Sequence, residues 1–321
     1  MANIRDIAKM AGVSVTTVSR VLNGHKYVRK EKKEAVLRAM RDSNYHRNIN
    51  AVHLSRGKTS LVGVVVPFAN HPYFGLLIEG ITKAAVQYGY HLVLVQTNYN
   101  ESRELEALKM LENRQIDALI ICSRQSTWGT IEAYMNEGSI VLCEDTRGKG
   151  VSSTFVDHYQ AFMMALDYLY DNGHRNIGYC VGRQNGTNSL QRAVAYKDFH
   201  YKHSLSLNEA NIFHGCYHLE DGQRVAKKLS TMKARPSALL ITSDQVAAGV
   251  MTCCLEKGIE VPKDLALIGF DNQPISKLMH LTTIEIPLVD LGEKLFGQAI
   301  QNNKEPTYEE VIVKLIERET V

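Results

Sequence analysis

The 321-residue chain lacks most of what would mark a secreted, membrane-bound or catalytic protein. Its six cysteines, Cys122, Cys143, Cys180, Cys216, Cys253 and Cys254, are scattered, and none forms a C-x-x-C pair. Reduced thiols in a cytoplasmic protein are therefore expected rather than a disulfide framework. The longest aliphatic run, Leu61 to Val66, is interrupted by Gly63 and stopped by Pro67, and Met1-Ala2-Asn3-Ile4-Arg5-Asp6 has no apolar leader, which excludes a spanning helix or signal peptide at these places. No G-x-S-x-G, H-E-x-x-H or G-x-G-x-x-G occurs, so no catalytic residue and no cofactor is expected. The "RGKTS" at Arg56–Ser60 is not a phosphate loop, because the glycine needed five positions before Gly57 is Val52. His214, Cys216 and His218 would share a face if Ile212–Leu219 were a strand, and His200 and His203 sit about one helical turn apart. No closed four-ligand set forms, and no metal is assigned.

What is abundant is positive charge at one end. Residues 1–60 carry 13 Lys and Arg against 4 Asp and Glu, a net of +9, while residues 61–321 carry 24 against 30, a net of −6. Such polarity draws a polyanion to the N-terminus only and points to nucleic acid. Within that end Ile4, Ile7, Ala8 and Ala11 fall at helical spacing behind a capping Asn3. Gly12-Val13-Ser14 ends this helix and starts another, with Gly12 suited to the left-handed conformation and the Ser14 hydroxyl placed to cap Thr16 or Thr17. Two helices joined so tightly predict a helix-turn-helix. On the second, Val18, Val21 and Leu22 point to a shared core, while Val15, Thr16, Ser19 and Arg20 face outward. Small outward side chains let a helix approach base edges in the major groove. A third helix over about Lys30–Ser43 supplies Ala35, Val36, Ala39 and Met40 to the core and basic residues to phosphates.

"IRDIAKMAGVSVTTVSRVLNG", Ile4 to Gly24, resembles the DNA-binding signature of the LacI/GalR family of bacterial repressors. The resemblance implies that Val15 and Thr16 read bases and that Arg20 contacts DNA, with Ile4, Ser14, Thr17, Ser19, Asn23 and Tyr45 also at the DNA. Arg29 departs from the Ser or Thr usual before the third helix. Residues 44–58 resemble the family hinge, which implies a helix over residues 48–55 that forms on double-stranded operator DNA and puts Leu54 into the minor groove at a central CG step, with Asn48 alongside. A helix this short needs packing against DNA and a dimer mate to persist. Arg47 replaces the family proline here, and Asn50, Val52 and His53 depart from its common residues.

From Leu61 onward short apolar strands, Leu61–Val66, His91–Gln96, Ile116–Ile121, Ser139–Leu142, Asn176–Val181, Ala238–Ile241 and Leu265–Gly269, alternate with amphipathic helices. This predicts α/β architecture with parallel sheets and right-handed crossovers, and ligands beyond the carboxyl ends of strands. "NHPYFGLLIEGITKAAVQYGY", "DNGHRNIGY", "TSDQVAAGV", "VPKDLALIGFDN" and "LTTIEIPLVDLG" resemble the periplasmic-binding-protein-like core of the same family. The resemblance implies a helix-turn-helix domain over residues 1–46, a hinge over 47–60, and a core over 61–321. That core would comprise two doubly wound subdomains, 61–156 with 288–303 and 157–287 with 304–321, crossing near Val156, Pro287 and Asn303. The implied effector contacts are Asn70, Phe74, Ser123, Asp145, Arg192, Ser243, Asp244 and Asp271. Carboxylates and an arginine suit a sugar because each can pair with adjacent hydroxyls.

The expected function is a sequence-specific repressor of carbohydrate or catabolite genes. Its effector would be a small sugar or sugar phosphate; the alternative is a phosphorylated carrier protein acting as corepressor, as in the Gram-positive catabolite-control branch, which "GVVVPFANHPYF" resembles. An exported sugar receptor would share the core but have no use for residues 1–58. No leucine heptad follows "VIVKLIERETV", which is expected to hold the last strand, so a homodimer on a pseudo-palindromic operator is expected, not a tetramer.

Overall fold

The computed structural model describes residues 2–45, 57–301 and 305–321. The hinge helix over 48–55, with Asn48 and Leu54, and the crossover expected at Asn303 lie outside the described residues. The chain divides into two compact units, Met1–Lys58 and Thr59–Val321.

In the first unit three helices, α1 (Ile4–Met10), α2 (Val15–Leu22) and α3 (Lys30–Asp42), surround a small core of Ile7, Ala8, Val18, Val21, Val36 and Ala39. The Asn3 side chain accepts from the N–H groups of Arg5 (2.8 Å) and Asp6 (3.2 Å), and Asp6 returns the bond to the Asn3 N–H (2.9 Å), a reciprocal cap. Gly12 adopts φ +63°, and the Thr17 N–H donates to Ser14 Oγ at 3.2 Å, so turn and cap form where the residue types require them. Arg29 precedes α3 with no side-chain cap.

The second unit holds two six-stranded sheets. The first consists of β1 (Leu61–Val66), β2 (His91–Gln96), β3 (Ala118–Ile121), β4 (Ser139–Leu142), β5 (Ser152–Phe155) and β11 (Tyr308–Glu310), in the order β11-β5-β4-β3-β1-β2. The second consists of β6 (Ile177–Cys180), β7 (Ile212–Phe213), β8 (Ala238–Ile241), β9 (Ala266–Phe270), β10 (Thr283–Glu285) and β12 (Lys314–Ile316), in the order β12-β10-β9-β8-β6-β7. All pairings are parallel except β10 with β12. The central strands are buried continuously, as "LVGVVV" and "ALLI" require of sheets covered on both faces.

Helices that position the site are α4 (Pro72–Gln87) after β1, α5 (Glu101–Glu112) after β2, α7 (His158–Asp171) after β5, α8 (Thr187–Lys202) after β6, α9 (Leu219–Thr231) after β7, α10 (Asp244–Glu256) after β8 and α12 (Leu288–Ile300) after β10. The short α6 (Trp128–Tyr134) and α11 (Pro274–Leu278) complete the set. The third crossover corrects the sequence expectation. Tyr308–Glu310 pairs with Ser153–Phe155 of the first sheet, so the chain changes sheets between Glu310 and Lys314 rather than at Asn303. The physical reason is that "YEE" carries no apolar alternation. The edge is instead held by Gln298, buried on α12, which accepts from Thr154 Oγ1 and donates to the Ser153 and Thr307 carbonyls.

Candidate DNA interface and effector cleft

In the N-terminal unit α2 buries Val18 and Val21 and leaves Val15, Thr16, Arg20 and Asn23 exposed. Ser14 is engaged as the cap, its Oγ also 2.9 Å from Thr17 Oγ1, and Ser19 lies 3.4 Å from Asn23 Nδ2. Ile4 and Tyr45 are half-buried against the three-helix core. The uncovered start of α2 thus offers a methyl-bearing residue, a hydroxyl and, one turn on, a guanidinium, a set able to meet base edges and phosphate.

In the larger unit a cleft of about 900 Å³, some of it open to solvent, lies beyond the carboxyl ends of the strands of both sheets. One wall comes from the loops after β1 to β4, with Phe68, His71, Tyr99, Ser123, Arg124 and Glu144; the other from loops of the second sheet, with Arg183, Tyr217, Thr242, Ser243 and Asp271, and from Arg192 on α8. Aromatic rings meet across it: Phe68 packs edge-on to Tyr217 at 5.8 Å and to Tyr99 at 5.4 Å. Arg183 bridges the walls, donating to the Arg124 carbonyl (3.0 Å) and to Gln125 Oε1 (2.5 Å) while its guanidinium lies 4.6 Å over the Tyr99 ring. Arg124 is held by Glu144 and by the Ser126 carbonyl, and its guanidinium stacks on Trp128 at 4.3 Å. Glu104, fully buried on α5, fixes this loop by accepting the N–H groups of Gln125 (2.8 Å) and Ser126 (3.0 Å).

The floor is charged. Arg192 Nη2 lies 3.1 Å from His158 Nδ1, and its guanidinium sits 5.4 Å over the Phe270 ring. Burial, with the Arg192 charge second, holds the His158 imidazole well below its usual range, so His158 is neutral and Nδ1 accepts from Arg192. Burial likewise pushes the Asp271 carboxyl up to about 7, against the opposing pull of a bond from Gln273 Nε2 (2.8 Å) and of Arg192. His71 is brought down to about 4 by burial and then by the neighbouring His218. Arg192 Nε and Ser243 Oγ are buried with no hydrogen-bond partner. Buried donors left open in a concave, aromatic-lined cleft are what an exogenous polyhydroxyl ligand would satisfy.

A family model described as "Periplasmic binding proteins and sugar binding domain of LacI family" matches residues 59–316, and one described as "Bacterial regulatory proteins, lacI family" matches residues 3–48. The chain belongs to the LacI family. It is a DNA-binding transcriptional regulator, and the family is not enzymatic. Among its relatives, the uncharacterized HTH-type transcriptional regulator YkvZ of Bacillus subtilis is 40% identical over the whole of both chains. Catabolite control protein B of the same organism is 36% identical, over 94% of this chain and 95% of its own. Among solved structures, a LacI-family regulator from Lactobacillus casei with bound glucose superposes with a TM-score of 0.74 at 27% identity, covering 81% of this chain and 99% of its own.

Of the effector residues expected for this LacI-family chain, Phe74, Ser123, Arg192, Ser243 and Asp271 line the cleft. Three do not. Asn70 is exposed outside it, and the cleft takes His71, whose Nδ1 caps α4 by accepting the Tyr73 N–H. Asp145 turns away to an ion pair with Arg147, whose backbone N–H, Nε and Nη2 all donate to it, and the preceding Glu144 faces the cleft. Asp244 is wholly buried behind it, accepting from Thr283 Oγ1 (2.6 Å) and the Gln273 N–H (2.7 Å), so it builds the loop that presents Asp271. Sequence reasoning missed Phe68, Tyr99, Arg124, His158, Arg183 and Tyr217. Each lies two to four residues past a strand end, so the strand-end rule could have found them had it been carried further into the loops and extended to aromatic residues. The metal face also dissolves: β7 stops at Phe213, Gly215 turns with φ +69°, and His218 caps α9. Among the described residues no group of three His, Cys, Asp or Glu could hold a metal ion, and no helix is long and apolar enough to cross a membrane.

Proposed function

We propose that the protein is a repressor that binds a pseudo-palindromic operator as a homodimer inside the cell, reading bases with Val15, Thr16 and Arg20 and wedging Leu54 into the centre, and that a sugar-like effector in the cleft sets its DNA affinity. The observation that carries the effector reading is the cleft floor, where half-buried Arg192 and buried Asp271 both line the cleft and Arg192 Nε and Ser243 Oγ are unsatisfied beneath aromatic walls. Hydroxyls on adjacent carbons both donate and accept, and so match a guanidinium beside a carboxyl. The bound glucose of the Lactobacillus casei regulator supports the same ligand class.

The test pairs gel retardation on the regulator's own promoter with a thermal-shift screen of sugars and sugar phosphates. A ligand at 100 times its Kd raises stability by about 2.7 kcal/mol. Arg192→Ala is expected to abolish the effector response and leave operator binding in place. Full effector affinity in that variant would remove Arg192 from the site. A phosphorylated carrier protein that strengthens retardation with no cleft ligand present would replace the sugar reading.

A further inference from the structure

Helix α8 begins in the cleft. Gly182, Arg183, Gly186, Thr187, Asn188 and Ser189 all line it, so the first turn of a 16-residue helix opens onto the ligand space. Gly186 is the N-cap and has no side chain to satisfy the N–H groups of that turn, and the turn contains no acidic residue. By geometry the N–H groups of Thr187, Asn188 and Ser189 have no carbonyl one turn earlier to donate to, and the helix presents the positive end of its dipole there.

Two guanidinium groups stand at this positive end, where a cation is unfavourable. A Cβ added at Gly186 would fall 2.7 Å from Arg183 Nε, so the Arg183 side chain is laid across the helix cap. Arg124 Nη2 reaches Thr187 Oγ1 at 3.5 Å. Glu144 offsets the Arg124 charge, but the hydrogen bonds of Arg183 go to neutral acceptors, the Arg124 carbonyl and Gln125. Positive charge gathered on a positive helix end is stabilised when an anion sits between them. A second observation points to a ligand independently: Ser243, 4% exposed, lines the same cleft, and its hydroxyl has no partner.

Resting on the effector reading above, we infer that the effector is a phosphorylated sugar, its phosphate seated on the first turn of α8 between Arg183 and Arg124 and its ring hydroxyls on Arg192, Asp271 and Ser243. The charges agree. With His71 and His158 neutral and Glu144 committed to Arg124, the cleft presents Arg183 and Arg192 against Asp271 alone, a net positive charge that an anionic ligand offsets and a neutral hexose leaves open.

Titration calorimetry on the full-length protein tests this with glucose, fructose and galactose, each beside its 1-phosphate and 6-phosphate. At least one phosphate ester is expected to bind about 100-fold more tightly than its parent sugar, the effect of two charge-assisted hydrogen bonds. Arg183→Gln is expected to weaken the ester at least about tenfold more than the parent sugar, and Arg183→Lys, which keeps the charge without the planar fork, to restore part of that difference. Equal affinity for ester and parent overturns the phosphate seat and leaves the sugar reading standing. Equal losses for both in Arg183→Gln overturn it too, by showing that Arg183 only closes the cleft. If none of the nine compounds binds, the sugar reading falls and takes the phosphate seat with it.

Discussion

Asp271 concentrates the tension of the cleft in one residue. It sits at φ +96°, is 4% exposed, and shares its surroundings with Asp244, whose carboxyl burial also pushes up, with the Asp271 charge adding to the effect. Its carboxyl moves from 3.8 to about 7, so between those pH values the folded protein binds more protons than the unfolded chain, and stability falls as pH rises through the window. Each tenfold change in proton affinity is worth about 1.4 kcal/mol, which bounds the full cost at roughly 4 kcal/mol above pH 7. Asp271→Asn is therefore expected to raise the melting temperature at pH 8 and to lose most of that advantage towards pH 4. A gain that does not change with pH, measured by scanning calorimetry, would contradict the raised carboxyl. The same locality explains which site residues were legible. Arg192 and Asp271 stand out because a charge beside an apolar strand or helix face demands a reason. Asn70 and Asp145 each miss by one position, because whether a loop side chain turns inward depends on a cap at His71 and an ion pair at Arg147 that strand-end logic does not contain.

Between elements the recurring device is helix packing through glycine. A Cβ at Gly222 on α9 would collide with the Val246 carbonyl on α10, and one at Gly249 on α10 with the Leu219 carbonyl on α9. The first subdomain repeats this with Gly80 on α4 against Val289 and Gly292 on α12 against Leu77. Backbone meets backbone at these crossings, and no rotamer change can relieve an added methyl. Gly249→Ala is expected to destabilise the larger unit by about 1–3 kcal/mol or more. Gly75→Ala, on the exposed side of α4 with nothing near its Cβ, should be neutral or stabilise by about 0.5–1 kcal/mol. Chemical denaturation of the two variants checks the contrast, and equal effects would show that helix propensity rather than packing governs both. At this scale β1, β2, β4 and β8 were readable to the residue because each is an apolar run bounded by turns. β5, β7, β10 and β11 were not, being two to four residues long and specified by their neighbours: "SSTF" becomes a strand through β4 and β11, while the last strand expected in "VIVKLIERETV" narrows to "KLI" opposite its antiparallel partner β10.

At the scale of the whole chain, charge and cleft lie in different units, so DNA binding and effector binding respond to different variables. Operator affinity should fall steeply with salt, since the +9 of residues 1–60 displaces counterions, by about 10³–10⁵ between 50 and 200 mM for 6–10 phosphate contacts. Effector binding on hydrogen bonds in a buried floor should change far less. Coupling between the two is bound by thermodynamics whatever route it takes. If the effector lowers operator affinity by a factor in the usual range of about 5–150, operator must lower effector affinity by the same factor. Titrating one hexose phosphate into free protein and into protein saturated with operator measures the second factor, and gel retardation with and without it measures the first. Both should agree at each salt concentration, even as the operator affinity itself moves by orders of magnitude. Identical effector affinity for free and operator-bound protein, alongside loss of retardation, would mean that release from DNA does not originate in the cleft, and the assignment of that cleft as the sensor would fail.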